Sequence, residues 1–256
     1  MNSKYFNITV KPTIPVATLA AGNITSGEVL FDWHGFDVPK GAARLIGVTV
    51  LYTGKNGVDY PPTDFELFWG TGHVNDADAP TGLGTAGGAV QAGNSLGYMR
   101  GKTYVDASNI NDDSLIVGNV ISVPDVSGGQ STAAASANNG LVLQGHPDSG
   151  TNIGYDKLYV AAVAHGTHNW GPSTMTIDTT VPSTSSPVIT VADVSAKIAL
   201  APNDILRDED NQLIGTVKKV DSPTQITLVD NSANTVAEDK LVYNTTPITL
   251  VLSFEK

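Results

Sequence analysis

Apolar and polar residues alternate in short runs along this chain, and the runs break at glycine, proline and acidic turns. A period of two over about four to eight residues marks a β-strand with one buried face. Tyr5 to Val10 carries it first. Lys11-Pro12 and Ile14-Pro15 then interrupt pairing, because proline has no N–H to give to a ladder. Glu28 to Trp33 predicts a second strand, and Pro39-Lys40-Gly41 a turn. Arg44 to Thr53 is rich in β-branched residues and almost continuously apolar, which predicts burial on both faces. Asp64 to Trp69 sets Phe65, Leu67 and Trp69 on one face and Glu66 and Phe68 on the other. Leu115 to Val123, Lys157 to His165 and the short Thr174 to Asp178 read as further strands. No 3.6-residue period is sustained, so long helices and coiled coils are not expected.

Two stretches lose all period: Gly70 to about Gly101, and Ser127 to Gly140. Both are rich in small residues. Loops this long are usually functional, or ordered only by a neighbour. They are expected to act as arms that order on binding a partner. Pro182 to Pro187 reads as a linker. Beyond it come short runs at 188–191, 197–200, 204–206, 213–220, 225–229 and 240–243. They turn at Asp208 to Asn211, Asp221 to Thr224, and Asp230-Asn231. That spacing predicts a small SH3-like barrel. Pro247 to Phe254 is long and apolar again and resembles the strands of the first part.

The expected fold is therefore all-β. Residues 1–186 form an antiparallel sandwich or barrel, completed by 247–256, with a small barrel at 187–246 inserted before the last strand. The expected main core is Phe31, Trp33, Leu45, Val48, Val50, Leu67, Leu158, Val160, Leu250 and Leu252. Ile205, Leu213, Val217, Ile226 and Leu228 are expected to fill the barrel.

Hydrophobic residues make up 41% of the 256, enough for a sizeable core. Charged residues are only 15%, against about 25% in an average soluble protein. Hydroxyls and amides fill the difference, a mix common on extracellular and virion β-proteins. The formal net charge is −11, and the Lys and Arg residues are scattered, with Lys218-Lys219 the nearest approach to a cluster. That argues against direct nucleic-acid binding and against attraction to anionic membranes. The absence of cysteine excludes disulfides, thiolate zinc sites and cysteine nucleophiles. The first residues lack the apolar stretch of a signal peptide, and no run is long enough to span a bilayer. Synthesis in a cytoplasm, as a soluble chain, is the expectation. The sequons at Asn7, Asn23 and Asn244 are then chance matches.

Candidate chemistry is thin. His165-Gly-Thr-His168 has a metal-like spacing but no third ligand nearby, with His34 and His146 remote in sequence. Asp208 to Gln212 opens like a calcium loop, but Leu213 and Lys219 stand where that loop needs Gly and Glu. Asp76 and Asp78 could hold an adventitious cation. Asp112-Asp113 could pair as in glycoside hydrolysis, without the aromatic cleft that chemistry needs. Gly82-Leu-Gly84 lacks the third glycine of a dinucleotide loop. No catalytic residue, cofactor or metal is assigned.

Four segments carry a family resemblance. Lys4 to Pro15, Val29 to Trp33, Val38 to Gly47 and the closing ITLVLSFEK resemble virion structural proteins of marine tailed phages, especially those of cyanobacteria. The insert, with DILRDED, LIGTV and SPTQITL, is similar to small β-barrel modules of capsid-associated proteins. The resemblance implies a non-enzymatic capsid decoration (cement) protein, homo-oligomeric and bound to the major capsid protein on the head surface. A tail, tube or fibre component and a carbohydrate-binding module are the alternatives.

Overall fold

The computed structural model describes residues 4–53, 63–72, 82–91, 97–105, 119–122, 141–147, 155–171, 174–181, 186–192 and 200–256. They form an all-β structure of antiparallel sheets, with one short helix, α1 (Val16–Ala21). The helix follows Pro15, where the sequence offered no helical period; proline suits a helix start because its missing N–H would be unpaired there anyway.

The first sheet of the sandwich runs in the order β1 (Tyr5–Val10), β18 (Ile248–Glu255), β4 (Ala42–Tyr52) and β7 (Asn119–Ser122), with β8 (Leu141–Gln144) on the same edge of β4. The final strand is thus interior, paired on both sides. Its alternation is strict: Ile248, Leu250, Leu252 and Phe254 are buried. β4 buries one face, with Leu45, Val48 and Val50 inward, while Ile46, Thr49 and Leu51 are half-buried. The expectation of burial on both faces is corrected: a register shift opposite Ser253 and Phe254 leaves Ile46 as an extra residue, and the second face stays partly open.

The second sheet has the order β3 (Val29–Pro39), β10 (Tyr155–Ala164), β5 (Phe65–Gly70) and β6 (Met99–Val105), with β9 (His146–Pro147) also on β10. Phe65, Leu67 and Trp69 point inward as expected, and Trp69 Nε1 donates to Thr103 Oγ1 at 2.8 Å. The inner faces of both sheets join in one core, which also takes in Phe31, Phe36, Leu158 and Val160. A minor ribbon pairs β2 (Asn23–Ile24) with β11 (His168–Asn169).

The remaining strands make a six-stranded sheet: β12 (Thr176–Ile177), β13 (Val188–Ala192), β16 (Gln225–Leu228), β15 (Leu213–Ser222), β14 (Ile205–Asp208) and β17 (Val242–Asn244). A bridge from Thr176 to Leu241, beside β17, brings the two ends together and nearly closes a barrel. The sheet takes in Thr176–Ile177, upstream of Pro187, and Met175 and Ile177 belong to its separate core. Val217, Ile226 and Leu228 are buried there as expected. Ile205 and Leu213 are not; Leu206 and Ile214 fill the core in their place. On β15 the cause is a bulge, since Leu206 faces Gly215 and Arg207 faces Leu213, leaving Ile214 as an extra residue; on β14 the alternation is unbroken and runs through Leu206 and Asp208. A slip of one residue exchanges the two faces of a strand.

The expected strand at 197–200 falls mostly outside the described residues, and Leu200 is buried without strand pairing. Of the expected strand at 115–123, β7 is the described part.

A backbone bond joins barrel to sandwich: Ile14 N–H donates to Thr245 C=O at 2.7 Å. Thr53 N–H donates to Pro247 C=O at 2.9 Å, which extends the β4–β18 ladder to the point where the chain leaves the barrel. Asn244 donates to Thr53 Oγ1 at 3.2 Å and to Asp204 at 2.6 Å, and Lys11 pairs with the same Asp204.

Candidate ligand groove

On β3, His34 faces Val160 and Phe31 faces Ala162, so Asp32 and Trp33 together oppose Ala161. Such a bulge bends the strand and re-aims its side chains. Its effect is legible in parity. Phe31 is buried in the main core, and so are the even-numbered Phe36 and Val38. Trp33, which alternation from Phe31 would send into that core, is instead half-buried and packs with Phe68, Val90 and Met99 on a small cluster outside it. Its expected place in the main core is corrected accordingly. The edge of its indole lies over Gly70, where a Cβ would stand 2.9 Å from the ring.

The segment 82–91 folds over this outer face. Leu83 is fully buried against Val29, Ala161 and Val163. Leu83 N–H donates to Asp32 Oδ1 at 2.7 Å, Val29 N–H to Gly88 C=O at 2.9 Å, and Gln91 N–H to Leu83 C=O at 2.6 Å. Thr18 on α1 holds Ala86 C=O at 3.0 Å. Both glycines of Gly82-Leu-Gly84 are structural. A Cβ on Gly82 would lie 2.8 Å from Asp32 Oδ2, and Gly84 has φ +148° with Ala89 C=O 2.8 Å from where its Cβ would be. This part of the small-residue stretch is therefore ordered by its own chain, not by a neighbour as expected.

Between this loop and the Thr13–Pro15 segment lies a groove of about 590 Å³. Asp32, Trp33 and His34 line it, with Thr13 on one rim and Thr85 and Gln91 on the other. Among the described residues, no lysine or arginine lines it. Burial, and to a lesser degree the charge of Lys157, pushes the His34 imidazole below its ordinary pKa, so it is neutral at pH 7. The groove thus offers one carboxylate, one aromatic ring, hydroxyls and an amide. From the pattern Asp32 is only a strand residue and Trp33 a core residue, because the bulge that turns them outward leaves no mark in the sequence.

The other candidates are absorbed elsewhere. His168 is fully buried; its Nε2 lies 3.1 Å from Asp64 C=O and must carry the proton, since a carbonyl only accepts. Its ring stacks on Trp170 and meets Phe65 edge-on. Burial pushes its pKa down to about 4. His165 instead faces Glu66, whose other oxygen pairs with Lys102 at 2.6 Å. The two histidines do not converge, and no group of three or more metal-ligating side chains occurs among the described residues. Asp208 accepts from Asp210 N–H and Gln212 N–H, and Lys240 pairs with Glu209 and Asp210, so the acidic stretch is a self-satisfied turn. Lys219 pairs with Asp221. The amide of the Asn244 sequon is occupied by Asp204 and Thr53. His146 pairs along β9 with Lys157. Asp76, Asp78, Asp112, Asp113 and the stretch 127–140 lie outside the described residues.

No family model matches this chain, and no curated protein matches it.

Proposed function

We propose that the chain is a non-enzymatic structural protein of a phage particle, bound to the outer surface of the head as a decoration protein. The observation that carries this reading is the clamp between sandwich and barrel. The barrel is reached from β11 and left into β18, and it is tied to the sandwich by the Lys11–Asp204 ion pair and the Asn244–Thr53 side-chain bond. A module tied this way transmits load, as a protein that braces a pressurised shell must, whereas a receptor-seeking tail module profits from a free hinge. The resemblance of its opening and closing segments to phage virion structural proteins supports the same reading. Partners are then the major capsid protein and further copies of this chain.

Gold-antibody labelling of intact particles tests it. Label spread over the head is expected. Label confined to the tail, or none on any particle, overturns the reading. Deleting residues 127–140 should leave the isolated fold intact and weaken binding to purified heads; unchanged head affinity would remove the arm from the proposal.

A further inference from the structure

We propose that the groove between the 82–91 loop and the Thr13–Pro15 segment is a binding site for a short neutral oligosaccharide, with Trp33 as its apolar shelf and Asp32 as its main acceptor. Its volume of about 590 Å³ is in the range of small-molecule sites, roughly 300–1,000 Å³. A sugar presents a C–H face beside a rim of hydroxyls. The lining matches that duality: one indole with a polar surround, a residue type that suits sites with an apolar body and a wet edge. Asp32 uses one acceptor position on Leu83 N–H; a carboxylate has about four, and hydroxyl donors to a carboxylate make short, charge-assisted bonds. Thr13, Thr85 and Gln91 sit where further hydroxyl partners would reach.

Anionic ligands are disfavoured. With no cation among the described lining residues, a phosphate or uronate would meet the Asp32 carboxylate, on a chain already at −11. The site is also built in advance. The bulge at Asp32–Trp33 aims the two side chains outward, and the hydrogen-bonded 82–91 loop fixes one wall. Less of the binding energy is then lost to ordering the site.

The chain has three tryptophans, so its amide spectrum carries three indole N–H signals. Trp69 and Trp170 are buried, and Trp33 is half-buried beside the groove. The full chain is titrated with neutral trisaccharides of glucose, mannose, galactose and N-acetylglucosamine, and with trigalacturonate and inorganic phosphate as anionic probes. At least one neutral sugar should move the Trp33 signal with Kd in the millimolar range or tighter, leaving the buried indoles still. Trp33→Ala should abolish binding. Asp32→Asn, which keeps an acceptor for Leu83 N–H, should weaken it about tenfold with the loop amides unchanged. The unshifted Trp69 and Trp170 signals report that each variant is folded.

The proposal is overturned if no neutral trisaccharide moves the Trp33 signal, if only the anionic probes do, or if Trp33→Ala binds as well as the parent. This site does not rest on the decoration reading, and a silent titration leaves the gold-labelling result untouched.

Discussion

Lys11, just after the first strand, closes an ion pair on Asp204 of the barrel, whose side chain is fully buried. Asn244 and Ala201 N–H donate to the same carboxylate at 2.6 and 2.8 Å. Burial pushes the Asp204 pKa up more than Lys11 and these donors pull it down. Removing the lysine leaves a buried charge without its counter-ion. Lys11→Met should therefore lower the unfolding free energy by about 3–5 kcal/mol in urea titrations. The double variant Lys11→Met/Asp204→Leu should recover much of that. A single-variant loss under about 1 kcal/mol would equate the pair with an ordinary surface salt bridge.

The register of β14 and the bulge at Ile214 on β15 make a sharp contrast within two neighbouring pairs. Leu206→Ala and Ile214→Ala should each destabilise by about 2–5 kcal/mol, as should Leu228→Ala. Ile205→Ala and Leu213→Ala remove half-buried side chains and should each lose under about half of that. Equal losses across both sets would contradict the register.

His168 ties stability to pH. The unfolded chain takes up a proton near the ordinary value of 6.5, the folded chain only near about 4. Stability is therefore full above about pH 6.5 and falls as the pH drops toward 4, by on the order of 3 kcal/mol over the whole window. Replacing His168 with Phe should lower stability at pH 7, through loss of the bond to Asp64 C=O, and flatten the slope between pH 7 and 5. His34, also shifted down, leaves a smaller residual slope. An unchanged slope in the Phe variant would place the titration elsewhere.

Gly84 and Gly27 both have positive φ, at +148° and +86°, but only Gly84 has a backbone carbonyl in the path of a Cβ. Gly84→Ala should speed hydrogen exchange at the loop-bonded amides of Leu83, Val29 and Gln91. Gly27→Ala meets open space and should cost about 1 kcal/mol through backbone strain alone, with those amides protected as before. Identical exchange in the two variants would mean that the loop does not depend on the close approach at Gly84.

The sandwich strands were legible because they alternate cleanly: Tyr5 to Val10, Phe65 to Trp69 and Ile248 to Phe254 each bury the face that their pattern marks. The barrel was legible from its turn spacing and the acidic turn at Asp208. Much of what escaped has one physical origin. At Ile46, Trp33 and Ile214 a bulge inserts a residue, and the parity of the side chains beyond it reverses. A bulge is chosen by packing between strands far apart in sequence, so nothing local announces it. The groove inherits that invisibility, because one such bulge turns Trp33 out of the core.

The position of β18 between β1 and β4 also sets a timetable for synthesis. The ladder partner of β1 is β18, and Tyr5 meets Glu255 across a sequence separation of 250 residues. While the ribosome is still at work, the first strand has an unmatched edge and the sheet has a missing centre. The 13 core side chains of the barrel among the described residues, from Met175 to Val242, are all made before that gap can close. Nascent chains therefore carry an open β-edge until β18 emerges, and a stall or truncation just short of Ile248 would release a species primed to pair with its neighbours.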